Sequence, residues 1–529
     1  MTHTDTAPDR ARSASRRSPW VTFTAVWLIL TVVSSLWSLA TPVAGSPDEP
    51  AHLIKAASVA RGQWVGEYSP RGHIVQVPEY IGDTHSDACF AFDPFAAADC
   101  AVGLEEGDGS LVDALTTAGL YNPLYYVVVG WPSLVFDDVG GIYAMRIMSG
   151  LLCSLMAALA FMALRRLPSP RLPLVGFWIA MTPMAFFLFG SVNPNGFEAA
   201  AVLCFFAGML ALMHSGPRER ITSLAVITGV GFAAAANARG LSLLWLVAAA
   251  LIAVIAVPWK QFLSLFRRRA VWILLLAFAA TGAIALAWLL GTNSLGTSTI
   301  DAEAGFEHPS TGGSFVQGFL HVLMNTLGYA EGVVGLFGWQ ETRSPVEVYF
   351  VWAVASGALV LFGLAAARGR ALAMLLGAVG LFLFLPALVQ GIFISSGGII
   401  WQGRYNLPLF MCLVIAAALA GATQFDRLPQ ALVRRLIPIT FAALVIAHLY
   451  AFTATLHRYA VGFTGSWTEA FLGSGWQAPG GNVALFIAMA AVGAAAVFLG
   501  SRALSRRDAP GEGRRAVTLP EPQPERVGS

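Results

Sequence analysis

The chain has 529 residues, of which 56% are hydrophobic and 12% charged, with a mean hydropathy of +0.66. Soluble domains carry roughly 25% charged residues, so most of this sequence is solvated by something other than water. The net charge of +2 is scattered in short clusters between apolar runs, which argues against a nucleic-acid-binding surface.

Residues 1–19 are polar and contain Arg10, Arg12, Arg16 and Arg17; their composition predicts a disordered cytoplasmic leader. The apolar run that follows is too long for the core of a signal peptide and lacks a small-residue cleavage site, so it reads as a retained first span. Apolar runs recur near 20–42, 139–164, 172–190, 196–214, 221–236, 241–258, 271–291, 346–367, 371–392, 405–424, 435–455 and 483–503. A helix of about 20 apolar residues crosses a bilayer. The expected fold is therefore an all-α polytopic membrane protein of about 12 transmembrane helices over 20–503. Residues 504–529, rich in Pro, Glu and Arg, predict a disordered cytoplasmic tail.

Basic residues alternate between the loops. One set carries Arg165, Arg166 and Arg171; Arg218 and Arg220; Lys260 and Arg267–Arg269; Arg368 and Arg370; Arg427, Arg434 and Arg435; and Arg502, Arg506 and Arg507. The short loops between these sets hold almost none. By the positive-inside rule both termini are cytoplasmic, in a cell membrane crossed an even number of times. The long segments 43–138, 292–345 and 456–482 then lie outside the cytoplasm.

The 43–138 loop holds Cys89 and Cys100, and an oxidising exterior favours a disulfide between them over two free thiols. Cys153, Cys204 and Cys412 fall in apolar runs and read as small packing residues. The apolar stretch Tyr121–Phe136 is interrupted by Pro123 and Pro132. A further span there would break the charge alternation, so an interfacial or re-entrant helix is expected.

The residues suited to chemistry cluster on the same side. Directly after the first span stands Gly45-Ser46-Pro47-Asp48-Glu49-Pro50-Ala51-His52, with a short helix expected over 51–60. Asp48 and His52, four apart, share a helix face. The two carboxylates would favour the helix dipole in any protein. Placed with an imidazole at a membrane exit between prolines, they are costly unless used. Arg404, in Gln402-Gly403-Arg404-Tyr405, has no topogenic role on this side; its planar fork suits phosphate oxygens, and snorkelling is the plain alternative. Trp401 and Tyr405 are also compatible with an interfacial aromatic belt.

Arg146 is a second phosphate candidate or the partner of an acid such as Asp137, Asp138 or Glu198. Asn193 and Asn195 occupy a turn from which sugar contacts are open. Asn122 and Tyr125 border an acceptor groove or anchor at the interface, and His448, inside an apolar run, reads as an interhelical hydrogen-bonding residue. No phosphate-binding loop, dinucleotide fingerprint or nucleophile elbow appears, which disfavours a nucleotide-sugar or ATP-driven enzyme.

The "PDEPAH" element resembles the acidic signature in the first outer loop of GT-C-type glycosyltransferases. More narrowly, it resembles the bacterial family called domain of unknown function 2142. Asn122-Pro123-Leu124-Tyr125-Tyr126, Ser191-Val192-Asn193-Pro194-Asn195, Gly338-Trp339-Gln340-Glu341-Thr342 and Gln402-Gly403-Arg404-Tyr405 also match, so the resemblance extends over about 20–425. It implies a GT-C-like bundle that moves a sugar from a polyprenyl-phosphate donor to a glycan, glycolipid or protein acceptor outside the cytoplasm. On the matching positions Asp48 takes the acceptor proton, Glu49 assists by orienting the acceptor or holding a metal, and Arg404 stabilises the leaving phosphate. Trp339, His52, Tyr405, Asn122, Tyr125, Asn193 and Asn195 become substrate contacts. A divalent cation on Asp48, Glu49 and His52 stays open.

The rivals are a transporter or flippase of lipid-linked glycans, with polar groups at mid-membrane, an outer-face glycan ligase or polymerase, and a non-catalytic assembly partner. The enzyme reading requires Asp48 and Arg404 to face one cavity, within a sugar-phosphate's reach of on the order of 10 Å.

Overall fold

A computed structural model describes residues 18–104, 109–294 and 309–505. The expected disordered leader and tail fall outside the described residues, apart from the ends of the first and last helices.

The architecture is a helical bundle with two small antiparallel sheets. Among the described residues, nine helices are long and apolar enough to span a membrane, or up to eleven if two bent pairs each count as one span. The bends follow from proline, which removes a backbone donor and disfavours helix at the preceding residue. Arg171–Ala180 and Pro183–Phe189 meet at 66°, and Ser242–Ile255 and Trp259–Leu265 at 117°, with Pro258 at the second break. The remaining expected segment is the shorter helix Thr222–Ala236. At the centre runs Pro194–Met213, every residue of which is buried.

Each of the two loop sets that alternate in charge has members in contact with one another. The Arg166 guanidinium pairs with Glu219, and Arg268 donates to the Glu219 carbonyl at 3.2 Å, which ties three basic loops together. The other loops meet one another around residues 44–48. Trp339 donates to the Ala44 carbonyl at 2.9 Å, Tyr459 to Gly45 at 2.8 Å and Asn193 to Pro47 at 3.0 Å.

The 43–138 segment folds on the helix Glu49–Ala60. Strands β1 (Glu67–Ser69), β2 (Gly72–Pro78) and β3 (Leu111–Thr116) form a sheet in that order, with Val75 opposite Ala114. Thr116 Oγ1 donates to Ala51 O at 2.7 Å and fixes β3 to the helix. The Tyr121–Phe136 stretch is the helix Pro123–Gly130 followed by a short 3-10 turn. Gly130 lies against the Ala56 carbonyl, where any Cβ would collide. That contact lets it pack on Glu49–Ala60.

Cys89 and Cys100 are joined by a disulfide. The loop they close docks on Arg458, which donates to the carbonyls of Phe90, Asp93 and Ala96 at 2.9, 2.7 and 2.8 Å. In the third long segment, β4 (Leu336–Phe337) and β5 (Thr342–Arg343) form a minimal hairpin. It carries Phe337 onto the Trp37 ring, centroids 4.9 Å apart.

Candidate functional site

The first span ends at Ala40, and the chain then turns sharply before the helix Glu49–Ala60. Two non-glycine residues of this turn, Ala44 and Asp48, have positive φ, 59° and 62°. Asp tolerates this left-handed region better than most residues, yet it remains an uncommon conformation that its surroundings must hold. Here the Trp339, Tyr459 and Asn193 side chains, from three different segments, hold the carbonyls of Ala44, Gly45 and Pro47. The turn is fixed from outside, and it presents Asp48 with half of its side chain exposed.

Glu49 points the opposite way. Its side chain and that of Arg146 are fully buried and ion-paired; Arg146 Nε donates to Glu49 Oε1 at 2.8 Å, and Val192 N donates to the same oxygen at 3.0 Å. The rest of the Arg146 fork is spent on Glu49 Oε2 and on the carbonyls of Ser38, Thr41 and Pro42. This corrects two expectations. Arg146 has no donor left for a phosphate, and Glu49 has no access to an acceptor or a metal. Together they lock the first span to the turn. The acid that meets Arg146 is Glu49, not Asp137, Asp138 or Glu198.

Arg404 is the contrary case. It sits in the 3-10 turn Gly403–Asn406 with only 3% of its side chain exposed, and its Nη2 donates to Asp48 Oδ2 at 2.7 Å. Its Nε is buried without a hydrogen-bond partner, as is Oε1 of Gln402. Buried polar groups are normally satisfied, so this turn retains hydrogen-bonding capacity that the protein does not use. The turn is pressed into place where Gly403 meets Gly332 too closely for a Cβ on either. Trp401 is buried, with its indole on Asn406 at 3.1 Å; it is a core residue rather than a belt aromatic.

A second arginine, Arg239, joins the cluster. Its guanidinium carbon lies 4.8 Å from the Tyr405 ring centroid, and that of Arg404 lies 5.3 Å from the same ring. Arg239 also bonds Asn195, and it pairs with Glu198 at 3.4 Å. Sequence reasoning missed it. The available signal was the one used for Arg404: a cation in a short loop of the set that otherwise lacks them.

His52 projects from Glu49–Ala60 with Nδ1 2.8 Å from the Tyr126 hydroxyl and its ring edge-on to Tyr121. Burial pushes its pKa down to about 4; Asp48 opposes the shift, and Arg239 and Arg404 add to it. The ring is a neutral wall between these charges. Asp48 bonded to Arg404, Glu49 sealed against Arg146 and His52 on Tyr126 do not converge as a ligand set. Among the described residues no group of three His, Cys, Asp or Glu is placed to hold a metal.

The remaining expected contacts divide. Asn193 caps the helix Pro194–Met213 through Asn195 N at 3.0 Å and anchors Pro47, so it positions the Asp48 turn. Asn122 donates to Asn237 Oδ1 at 3.0 Å and steadies the loop that bears Arg239. Tyr125 is fully buried with its hydroxyl on Ser149 at 2.9 Å, which removes it from any acceptor groove. Trp339 is part-buried, its ring 5.4 Å from that of Phe92.

The site thus joins a half-exposed carboxylate to a guanidinium with unspent donors, walled by a neutral imidazole and tyrosines. The family described as "Predicted membrane protein (DUF2142)" matches residues 30–413. The chain belongs to this family. Its matched segment contains Asp48, His52, Arg239, Arg404 and Tyr405, whereas Tyr459, which braces the Asp48 turn, lies beyond it. No curated protein matches the chain. Among solved structures, an oligosaccharyltransferase of Archaeoglobus fulgidus, in complex with Zn and sulfate, is similar at 14% identity and a TM-score of 0.39. The alignment covers 84% of this chain and 54% of that one, so the chain spans about half the length of that protein.

Proposed function

We propose that this family member transfers a sugar from a polyprenyl-phosphate donor to a cell-envelope acceptor, with Asp48 as general base and Arg404 holding the donor phosphate. The observation that carries the reading is the 2.7 Å Asp48–Arg404 pair, in which Arg404 keeps a buried, unused Nε–H. A donor phosphate offers that guanidinium a second, charge-assisted partner in fork geometry. Engaging it draws Arg404 from Asp48 and frees the carboxylate for the acceptor hydroxyl. As the proton moves to Asp48, the acceptor oxygen bonds the anomeric carbon and the bond from that carbon to the phosphate oxygen breaks. Negative charge grows on the leaving phosphate, which Arg404 stabilises, with Arg239 behind the shared Tyr405 ring. A phosphate leaves without full protonation, so a second, acidic carboxyl is not required, unlike in glycoside hydrolysis.

The matching motifs support a GT-C-type bundle, and the positive-inside rule supports an extracytoplasmic site. Asp48, Arg239 and Arg404 sit in turns and loops at helix ends rather than at mid-span, which favours surface chemistry over carriage of a glycan through the bundle. The test is transfer from radiolabelled polyprenyl-phosphate sugars to envelope acceptors. The wild-type chain should form product and Asp48→Asn should not; undiminished turnover in Asp48→Asn overturns the assignment.

A further inference from the structure

An apolar groove opens along the bundle, away from the candidate site. Ile29, Trp178, Trp352, Phe441, Met489 and Ala496 are among its walls, and no Lys, Arg, Asp or Glu lines it. His448 also lines it. Its tautomer is set by a neighbour: Trp37 Nε1 lies 2.9 Å from His448 Nε2. An indole N–H only donates, so Nε2 must accept and the ring proton sits on Nδ1. That Nδ1–H has no acceptor among the described residues. By contrast, His214 meets its own helix carbonyl, Leu210 O, through Nδ1 at 2.8 Å. An unmet donor facing hydrocarbon is costly.

We propose that this groove seats an acyl chain of a glycerolipid whose ester carbonyl accepts from His448 Nδ1–H. Depth supports the ester. Trp37 lies one turn inside the end of the first span at Ala40, and ester carbonyls flank the hydrocarbon core. Direction supports the chain. Ile29 lies eight residues deeper along the first span, roughly 12 Å at the helical rise. Phe441 and Ala496 continue the groove toward the basic loops along their own helices. The absence of a lining cation excludes a phosphate at His448, because a desolvated phosphate needs a paired charge. The occupant is therefore a neutral-carbonyl lipid rather than the polyprenyl-phosphate donor, and the inference stands independently of the glycosyl-transfer reading.

The test is native mass spectrometry of the full chain incubated with equal amounts of diester and diether phosphatidylglycerol of the same chain length. Ether lipids lack the carbonyl. One neutral hydrogen bond predicts about fivefold greater retention of the diester. His448→Phe should abolish the preference. His448→Gln, whose amide can both accept from Trp37 and donate outward, should keep it. Ala496→Phe, which fills the groove without touching the imidazole, should lower retention of both lipids. Equal retention by the wild-type chain overturns the proposal, and that comparison needs no variant to fold. A diester preference that survives His448→Phe also overturns it, because the carbonyl is then bound elsewhere.

Discussion

Asp48 Oδ2 and Arg404 Nη2 stand 2.7 Å apart, joining residues 356 positions distant in sequence. One group is half exposed and the other 3% exposed, so the carboxylate lies at the surface over a buried cation. In the proposed reaction the donor phosphate competes with Asp48 for Arg404. Asp48→Asn removes that competitor together with the base. Its kcat should fall about 10²–10⁴-fold, while its donor KM stays level or falls. Steady-state kinetics with varied donor measure this split; a raised KM at unchanged kcat would make Asp48 a binding residue instead.

Arg404→Lys keeps the charge and loses the fork. A charge-assisted hydrogen bond is worth about 1.5–3 kcal/mol, so Arg404→Ala should weaken inhibition by polyprenyl phosphate roughly 10- to 100-fold. Arg404→Lys should recover part of the loss. The same substitutions at Arg146 should leave inhibitor affinity per folded molecule unchanged, since that guanidinium is spent within the protein.

The Glu49–Arg146 pair instead carries stability. Removing one partner of a buried ion pair strands the other charge and costs about 3–5 kcal/mol. Glu49→Gln and Arg146→Met should each lower the thermal transition in detergent and reduce yield. The double variant should be less destabilised than the sum of the two, as a double-mutant cycle would show.

How much of this was legible beforehand varies with the signal. The spans are read well because each apolar run is long and local, and the break at Pro258 lies at the end of the run expected there. The motif residues Asp48, Arg404, His52 and Tyr405 converge, but their partners do not follow from position. Glu49 and Asp48 are adjacent and chemically alike, and only the left-handed turn at Asp48 sends one outward and the other into the bundle. No one-dimensional pattern reveals that Arg146 would find Glu49 across 97 residues. The sheet β1–β3 escaped because its strands are short and lie in a loop dominated by Gly, Pro and polar residues. Arg239 was overlooked because one cation in a short loop looked incidental.

The tethers of the Asp48 turn should affect rate more than binding. Tyr459→Phe and Asn193→Ala each release one carbonyl of a turn that holds two left-handed residues. Small displacements of a catalytic group reduce rate steeply. A drop in kcat of about tenfold with unchanged donor KM is expected for each, and a matching loss in both parameters would contradict a positioning role.

Lys55 provides the pH test of the segment that carries the site. It is buried on Glu49–Ala60 with no acidic partner among the described residues; its Nζ donates to Gly119 O at 2.6 Å and to Trp64 O. Burial pushes its pKa down to about 7 from 10.5. A neutral amine has two N–H groups, one for each carbonyl. Between pH 7 and 10.5 the unfolded chain binds a proton at Lys55 that the folded chain does not. Stability therefore rises with pH across that window and is flat in this term below it. Lys55→Met removes the proton-binding difference along with the two hydrogen bonds. Thermal unfolding of the purified protein from pH 7 to 10 should show a rising midpoint in the wild type and a flatter profile in Lys55→Met. Identical slopes would mean that Lys55 stays protonated in the fold, with a third, unseen partner for its ammonium.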